Sequence, residues 1–80
     1  MNQKKQLTKL QRKQEECQLF SKKDKKIIKQ LSQCNSSYYK AKVMDMLVYE
    51  LEDWSYDILK DMVKDQDRLV AEMAVRSLAN

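Results

Sequence analysis

Few side chains in this chain have the chemistry that catalysis needs. Its 80 residues include no histidine and no glycine, so it lacks the usual general base at neutral pH and the backbone of a phosphate-cradling loop. Acids gather at Glu50, Glu52, Asp53 and Asp57 beside Trp54, and a helix end with capping acids and a packed tryptophan accounts for this group. We therefore expect a protein that is not an enzyme and uses no cofactor.

Two cysteines are the other reactive side chains. Cys17 and Cys34 lack the paired ligand clusters of a structural zinc site, and neither has an evident activating base. The first residues are charged and form no apolar signal segment. We therefore expect a cytoplasmic protein with free thiols, no metal and no disulfide, since disulfides are rare in that compartment.

Basic residues concentrate in the first third of the chain. Residues 1–29 hold ten Lys or Arg and three acids, a net charge of +7, whereas residues 30–80 have a net charge of −3. The run KKDKK over residues 22–26 is typical of a solvated helix start or of a phosphate-binding surface. No aromatic residue alternates with these lysines, which disfavours base stacking. The candidate phosphate-binding residues are Lys22, Lys23, Lys25, Lys26 and Lys29, with Lys4, Lys5, Lys9, Arg12 and Lys13 as further basic candidates.

The elements that position these residues are predicted to be helices. The chain has neither Gly nor Pro and shows no sustained alternation of apolar and polar residues, which disfavours strands and hairpin turns. Its longest purely apolar run is MLVY, far short of the ~20 residues of a membrane span. We predict an all-α protein without a membrane span. The predicted helices cover residues 4–19, 22–33, 37–51, 55–64 and 68–79.

Polar residues mark where these helices begin. Ser21 and Asp24 have the spacing of a capping box ahead of the apolar pair Ile27 and Ile28. The later helices also start with side chains that accept hydrogen bonds from free backbone amides. The candidate capping residues are Asn35 or Ser36 for the third helix, Asp53 or Ser55 for the fourth, and Asp65 or Asp67 for the fifth.

A shift of 31 residues superimposes the second half of the chain on the segment before it. The shift places apolar residues on apolar residues and the polar break CNSS on DQDR. Each copy therefore reads as a short helix, a polar turn and a longer helix. The matching pairs are Ile27 with Ile58, Ile28 with Leu59, Leu31 with Met62, Tyr39 with Val70, Val43 with Ala74, Met44 with Val75, and Leu47 with Leu78.

The stretch DQDRLVAEMAVRSLA resembles the second helix of a HEAT repeat, in the short form of phycobilisome-lyase-type repeats. The resemblance covers about residues 22–80 and implies a right-handed stack of antiparallel helix pairs that binds proteins. Two positions depart from the family pattern: Ala71 replaces a basic residue, and Tyr39 is bulkier than the usual valine. The matching residues are Asp65, Asp67, Val70, Ala74, Ser77 and Leu78 in the second copy, and Asn35, Tyr39, Lys40, Val43 and Leu47 in the first.

The resulting prediction is a basic N-terminal helix or arm over residues 1–20, followed by a HEAT-like double hairpin over residues 21–80. The first hairpin spans 21–52 and the second 53–80; a small four- or five-helix bundle is the alternative fold. In the first helix a narrow stripe recurs at steps of three and four residues. That helix is interpreted as a cap on the first hairpin, a dimerising helix or a disordered arm. The stripe consists of Leu7, Leu10, Gln14 and Cys17.

The predicted function is non-catalytic protein binding, as an interaction module or small scaffold. Its partner is expected to be a protein or a second copy of the chain, with no metal and no membrane. The alternatives are nucleic-acid binding through the basic third, and the N-terminal part of a longer HEAT-like array. The polar stripe of the third helix, which includes Glu52, is expected to face solvent. The predicted protein-binding residues are Lys42, Asp45, Tyr49, Met73 and Arg76.

Overall fold

Five helices joined by short turns make up the computed structural model, which describes residues 2–50 and 52–79. No strand occurs in these residues, so the all-α prediction is confirmed. The helices are α1 (Gln3–Glu15), α2 (Lys22–Ser32), α3 (Ser37–Glu50), α4 (Asp53–Met62) and α5 (Arg68–Ala79).

The predicted capping residues of α2 and α3 are confirmed. Ser21 Oγ accepts from the Asp24 amide at 3.1 Å, and Asp24 Oδ2 accepts from the Ser21 amide at 3.0 Å, which completes the capping box. At the start of α3, Ser36 Oγ accepts from the Tyr39 amide at 3.3 Å. These starts are set by residues close in sequence, which is why the spacing alone predicted them.

Helix α4 has Glu52 as its N-cap, so the prediction of Asp53 or Ser55 is wrong there; both candidates lie inside the helix. Ser55 closes the first turn from within: its hydroxyl accepts from the Glu52 amide at 3.0 Å and donates to the Glu52 carbonyl at 2.7 Å. Asp67 Oδ1 accepts from the Leu69 amide at 3.0 Å, so Asp67 caps α5.

Helix α1 ends at Glu15, four residues before its predicted end. Cys17 adopts a left-handed backbone with φ 58°. The Cys17 amide then donates to the Gln14 carbonyl at 3.1 Å, and the Gln18 amide donates to the Lys13 carbonyl at 2.9 Å. These two hydrogen bonds form a Schellman motif, which usually has glycine at the left-handed position. Because the chain has no glycine, this termination could not be predicted from the usual glycine signal.

Helix α3 lies at the centre of the molecule and contacts all four other helices. Helix α2 also contacts α4, and α4 contacts α5. These contacts fit two hairpins lying side by side, α2–α3 and α4–α5, and they also fit a small helix bundle. One core runs through all five helices and the α1–α2 loop. Its residues are Leu7, Leu10, Phe20, Ile28, Leu31, Val43, Met44, Met46, Leu47, Ile58, Leu59, Met62, Val70 and Ala74.

Helix α1 packs against the first hairpin. Leu7 and Leu10 are buried. Gln14 Nε2 donates to the Met46 carbonyl at 3.0 Å and to Glu50 Oε2 at 2.9 Å, which ties α1 to α3. The predicted stripe is therefore an inward-facing one as far as Gln14, while Cys17 lies beyond the helix end and is exposed.

Candidate functional site

The residues predicted for protein binding occupy one side of α3 and α5. On α3, Asp45 and Tyr49 are exposed, whereas Lys42 is half-buried. On α5, Arg76 is exposed and Met73 is half-buried against the core. Positions 42 and 73, like 45 and 76, are related by the 31-residue shift. Since α3 and α5 contact each other, these residues form two adjacent rows.

The structure adds two large side chains to these rows. Tyr38 lies four residues before Lys42 and is 64% exposed; Leu69, its counterpart under the 31-residue shift, is 63% exposed. Lys42 Nζ lies 5.5 Å from the Tyr38 ring centroid, a cation–π contact. Extending the stripe one turn towards the start of each helix would have found both residues. The binding face is defined as Tyr38, Lys42, Asp45, Tyr49, Leu69, Met73 and Arg76.

Helix α1 borders the binding face. A surface groove of about 260 Å³ runs between α1 and α3; Gln14 and Glu15 line one side, and Lys42 and Tyr49 line the other. The expectation that the polar stripe of α3 faces open solvent is correct for Asp45 and Tyr49, which are exposed; Glu52 is also exposed but lies beyond the end of α3, as the N-cap of α4. It is wrong for Lys42, because the first helix packs beside it, which the stripe pattern did not reveal.

The two hairpins meet through polar contacts at the starts of α3 and α5. Lys40 Nζ lies 2.8 Å from Asp65 Oδ2, with the two side chains 13% and 10% exposed. The Ser37 hydroxyl donates to Asp67. Asp65 Oδ1 also accepts from the Asp67 amide at 2.8 Å. The Lys40–Asp65 pair and the Ser37–Asp67 hydrogen bond therefore connect the turn of the second hairpin to the start of α3.

Two carboxylates have lowered pKa values. The hydrogen bond from Ser37 is the largest cause at Asp67 and lowers its pKa, and the Leu69 and Val70 amides act in the same direction. Burial raises the pKa of Asp24, but hydrogen bonds from Lys13 and Ser21 outweigh it and hold that pKa below its ordinary value. Both aspartates therefore stay ionised where they cap their helices.

The candidate phosphate-binding lysines of α2 lie next to those of α1. Lys13 Nζ pairs with Asp24 Oδ2 at 2.6 Å, which fixes α1 beside the start of α2. Lys9, Lys13 and Lys23 consequently line one groove of about 240 Å³. The basic surface is defined as the lysines and arginine of α1 and α2: Lys4, Lys5, Lys9, Arg12, Lys13, Lys22, Lys23, Lys25, Lys26 and Lys29.

An aromatic ring does lie among these lysines, although none alternates with them in sequence. Lys25 Nζ lies 5.2 Å from the Trp54 ring centroid, and Lys26 and Lys29 line the same groove as Trp54. The prediction that Trp54 is a packing residue is confirmed, because its ring meets Phe20 edge-on at 6.1 Å. The sequence could not show this neighbourhood, since the tryptophan comes from α4.

The acidic side chains near Trp54 and the two cysteines do not come together in one site. Glu50 accepts from Gln14, and Glu52 accepts from Trp54 Nε1 at 2.5 Å. Cys17 is exposed, and Cys34 is half-buried with Sγ 3.7 Å from the Ser36 carbonyl. In residues 2–50 and 52–79, no three acidic or cysteine side chains come together as a group that could hold a metal ion.

Comparison with protein-family models, with curated proteins and with solved structures gave no match to this chain. Among the described helices, none has both the length and the apolar composition needed to cross a bilayer. What the chain does must therefore be inferred from its own residues and contacts.

Proposed function

We propose that this chain is a non-catalytic protein-binding module of the HEAT-like helical-repeat type, and that its binding face receives the partner. The observation that carries the proposal is the exposure of Tyr38, Tyr49 and Leu69 on neighbouring rows of two packed helices. Aromatic side chains among charged ones are typical of protein interfaces, where they supply buried area at low entropic cost. Lys42, Asp45 and Arg76 on the same face would set orientation and specificity.

The HEAT-like arrangement is supported by equivalent packing in the two hairpins. Ile28 and Leu59, which the 31-residue shift equates, are both buried, as are Val43 and Ala74. Helix α3 contacts α5, and α2 contacts α4, as expected when one hairpin is laid on the next. Stacked hairpins present their longer helices side by side, which makes the binding face a continuous surface.

The test is capture of proteins from the native cell by the immobilised chain, comparing the natural sequence with the K42E/R76E variant. Charge reversal on the binding face should reduce the captured partner at least ~10-fold, which is about 1.4 kcal/mol of binding free energy. Circular dichroism should show unchanged helicity, because Arg76 is exposed and the half-buried Lys42 borders the groove beside α1 without belonging to the core.

The matched control is K60E/K64E, which makes the same charge change at exposed positions of the second hairpin outside the binding face. A protein that the natural chain and K60E/K64E capture equally, and K42E/R76E does not, supports the binding face. Equal capture by all three refutes it, and so does capture that disappears on nuclease treatment.

Nucleic-acid binding is the second candidate function, and one observation favours it: the packing of α1 beside α2 joins two groups of lysines into the basic surface. Phosphate contacts by lysine give a binding constant whose logarithm falls linearly with the logarithm of salt concentration. In a mobility-shift assay with single-stranded RNA, the K9E/K23E variant should then bind more weakly than K60E/K64E. A response that stays flat between low and physiological salt excludes this candidate.

A further inference from the structure

Among the described residues of α3 and α5 that the 31-residue shift relates, only one pair combines a buried residue with an exposed one. Tyr38 and Leu69 are almost equally exposed. Met44 and Val75 differ sharply: Met44 is 1% exposed and Val75 is 51% exposed. One side of α3 is therefore covered in a way that the same side of α5 is not, within the part of the chain that the structure describes.

The second hairpin covers that side of α3. Ser37, Lys40 and Met44 follow each other at steps of three and four residues, so they lie along one stripe of the helix. Ser37 donates to Asp67 and Lys40 pairs with Asp65, so this stripe is the one that meets the second hairpin and its acidic turn. The burial of Met44 belongs to the same contact.

The equivalent stripe on α5 is named the end face and comprises Arg68, Ala71 and Val75. We infer that the end face is a docking site for a further helical hairpin whose turn carries carboxylates, as the α4–α5 turn does. It is a different surface from the binding face, and this docking does not depend on the proposed partner there.

The charges on the end face specify this kind of partner. Ala71 stands where α3 has Lys40, so the cation of the first junction is missing at that point. Arg68 stands where α3 has Ser37 and brings a cation one turn earlier. Its side chain is 93% exposed, and its Nε lies 3.5 Å from Glu72 Oε1, a long contact. A guanidinium at this position matches an incoming carboxylate placed like Asp67.

The experiment supplies such a hairpin to the full chain. In the protein to be tested, called the extended chain, residues 1–80 are followed by a second copy of residues 50–80. This addition keeps the 31-residue spacing and the acidic turn. Because docking buries the end face, the extended chain should unfold in one thermal transition, with Tm more than about 5 °C above that of the natural chain. The V75D substitution should remove most of this gain, yet shift Tm of the natural chain by less than about 3 °C.

Two further variants separate docking from a general effect of charge. L69D places the same charge on the same helix, but position 69 faces solvent as Tyr38 does, so its effect should be small in both chains. A71K places a lysine where α3 has Lys40, opposite the carboxylate of the added turn. It should raise Tm of the extended chain and leave the natural chain unchanged, and it provides a second readout if the unmodified extension folds poorly.

Three results would overturn the inference. The first is an extended chain that melts in two steps, with the first step at the Tm of the natural chain. The second is an equal loss of stability from V75D and from L69D in the extended chain. The third is a natural chain that sediments as a dimer and becomes monomeric with V75D, because a second copy would then occupy the end face.

Discussion

Cys17, just beyond the C-cap of α1, has a strained backbone conformation. Cys17 has φ 58°, in the left-handed region where a side chain with a Cβ atom is disfavoured by about 1 kcal/mol. Glycine avoids this penalty but loses more backbone entropy on folding. We therefore expect C17G to raise the free energy of unfolding by about 0.5–1 kcal/mol, measured by urea denaturation under reducing conditions.

The neighbouring residue provides the control for this prediction. Glu16 is the C-cap of α1 and has a negative φ, −86°. E16G therefore gains nothing from the freedom of glycine and should leave stability unchanged or lower it. Stabilisation by E16G as large as that by C17G would mean that backbone strain at Cys17 is not the cause.

The carboxylate of Asp24 should make stability depend on acid pH. The hydrogen bonds from Lys13 and Ser21 keep its pKa in the folded state below the unfolded value. The stabilisation is therefore complete above the unfolded pKa and is lost as pH falls through the lower, folded-state pKa. We expect D24N to be less stable than the natural chain by about 1 kcal/mol at pH 7.

This difference should shrink as pH falls below the folded-state pKa of Asp24, because the carboxyl of the natural chain then also becomes neutral. Thermal unfolding measured across the pH range would show the two curves converging. D45N, which removes an exposed carboxylate of α3, is the control and should follow the natural chain at every pH. Parallel curves for D24N and the natural chain would contradict the role given to this ion pair.

At the scale of elements, the first helix contributes to the core through very few side chains. Leu10 is buried between α1 and the first hairpin. L10A should therefore lower the free energy of unfolding by about 2–4 kcal/mol, since it removes buried methyl groups and leaves a cavity. That is a large share of the stability available to a domain of this size. Chemical denaturation followed by circular dichroism measures the loss.

The same measurement separates a capping helix from a dimerising one. K9A changes the adjacent exposed residue and should stay within about 0.5 kcal/mol of the natural chain. If α1 packs within its own chain, the loss in L10A is the same at all protein concentrations. A loss that varies with concentration would instead show that α1 joins two chains.

Helix starts were predictable from the sequence because their capping residues act over three or four positions. Ser21, Ser36 and Asp67 were all identified in that way. The end of α1 was not, because its Schellman termination uses a cysteine where glycine is usual. Leu10 was identified as part of an apolar stripe, but nothing in its spacing showed which helices would cover it.

The candidate sites were predictable to a smaller extent, because exposure depends on tertiary neighbours. Leu69 and Val75 are both large apolar residues of α5, and the sequence alone does not distinguish a binding face from an end face. The distinction comes from their counterparts in α3, where Tyr38 stays exposed and Met44 becomes buried. The neighbourhood of Trp54 and Lys25 likewise exists only once α4 lies beside α2.

On the scale of the whole molecule, the two ends differ. At one end α1 covers the first hairpin; at the other, the end face of α5 exposes half of Val75. Helical stacks gain much of their stability from contacts between neighbouring hairpins. The second hairpin has such a neighbour on one side only among the described residues, so its stability depends mainly on its contact with α3.

The packing of the second hairpin on α2 and the α1–α2 loop has a built-in optical reporter. Trp54 is the only tryptophan of the chain, and it belongs to the second hairpin while its ring meets Phe20 and Lys25 of the preceding segment. Its fluorescence therefore registers whether α4 lies against α2 and the α1–α2 loop, without any added dye. Circular dichroism follows helix content, so comparing the two signals reveals whether the hairpins separate before they unfold.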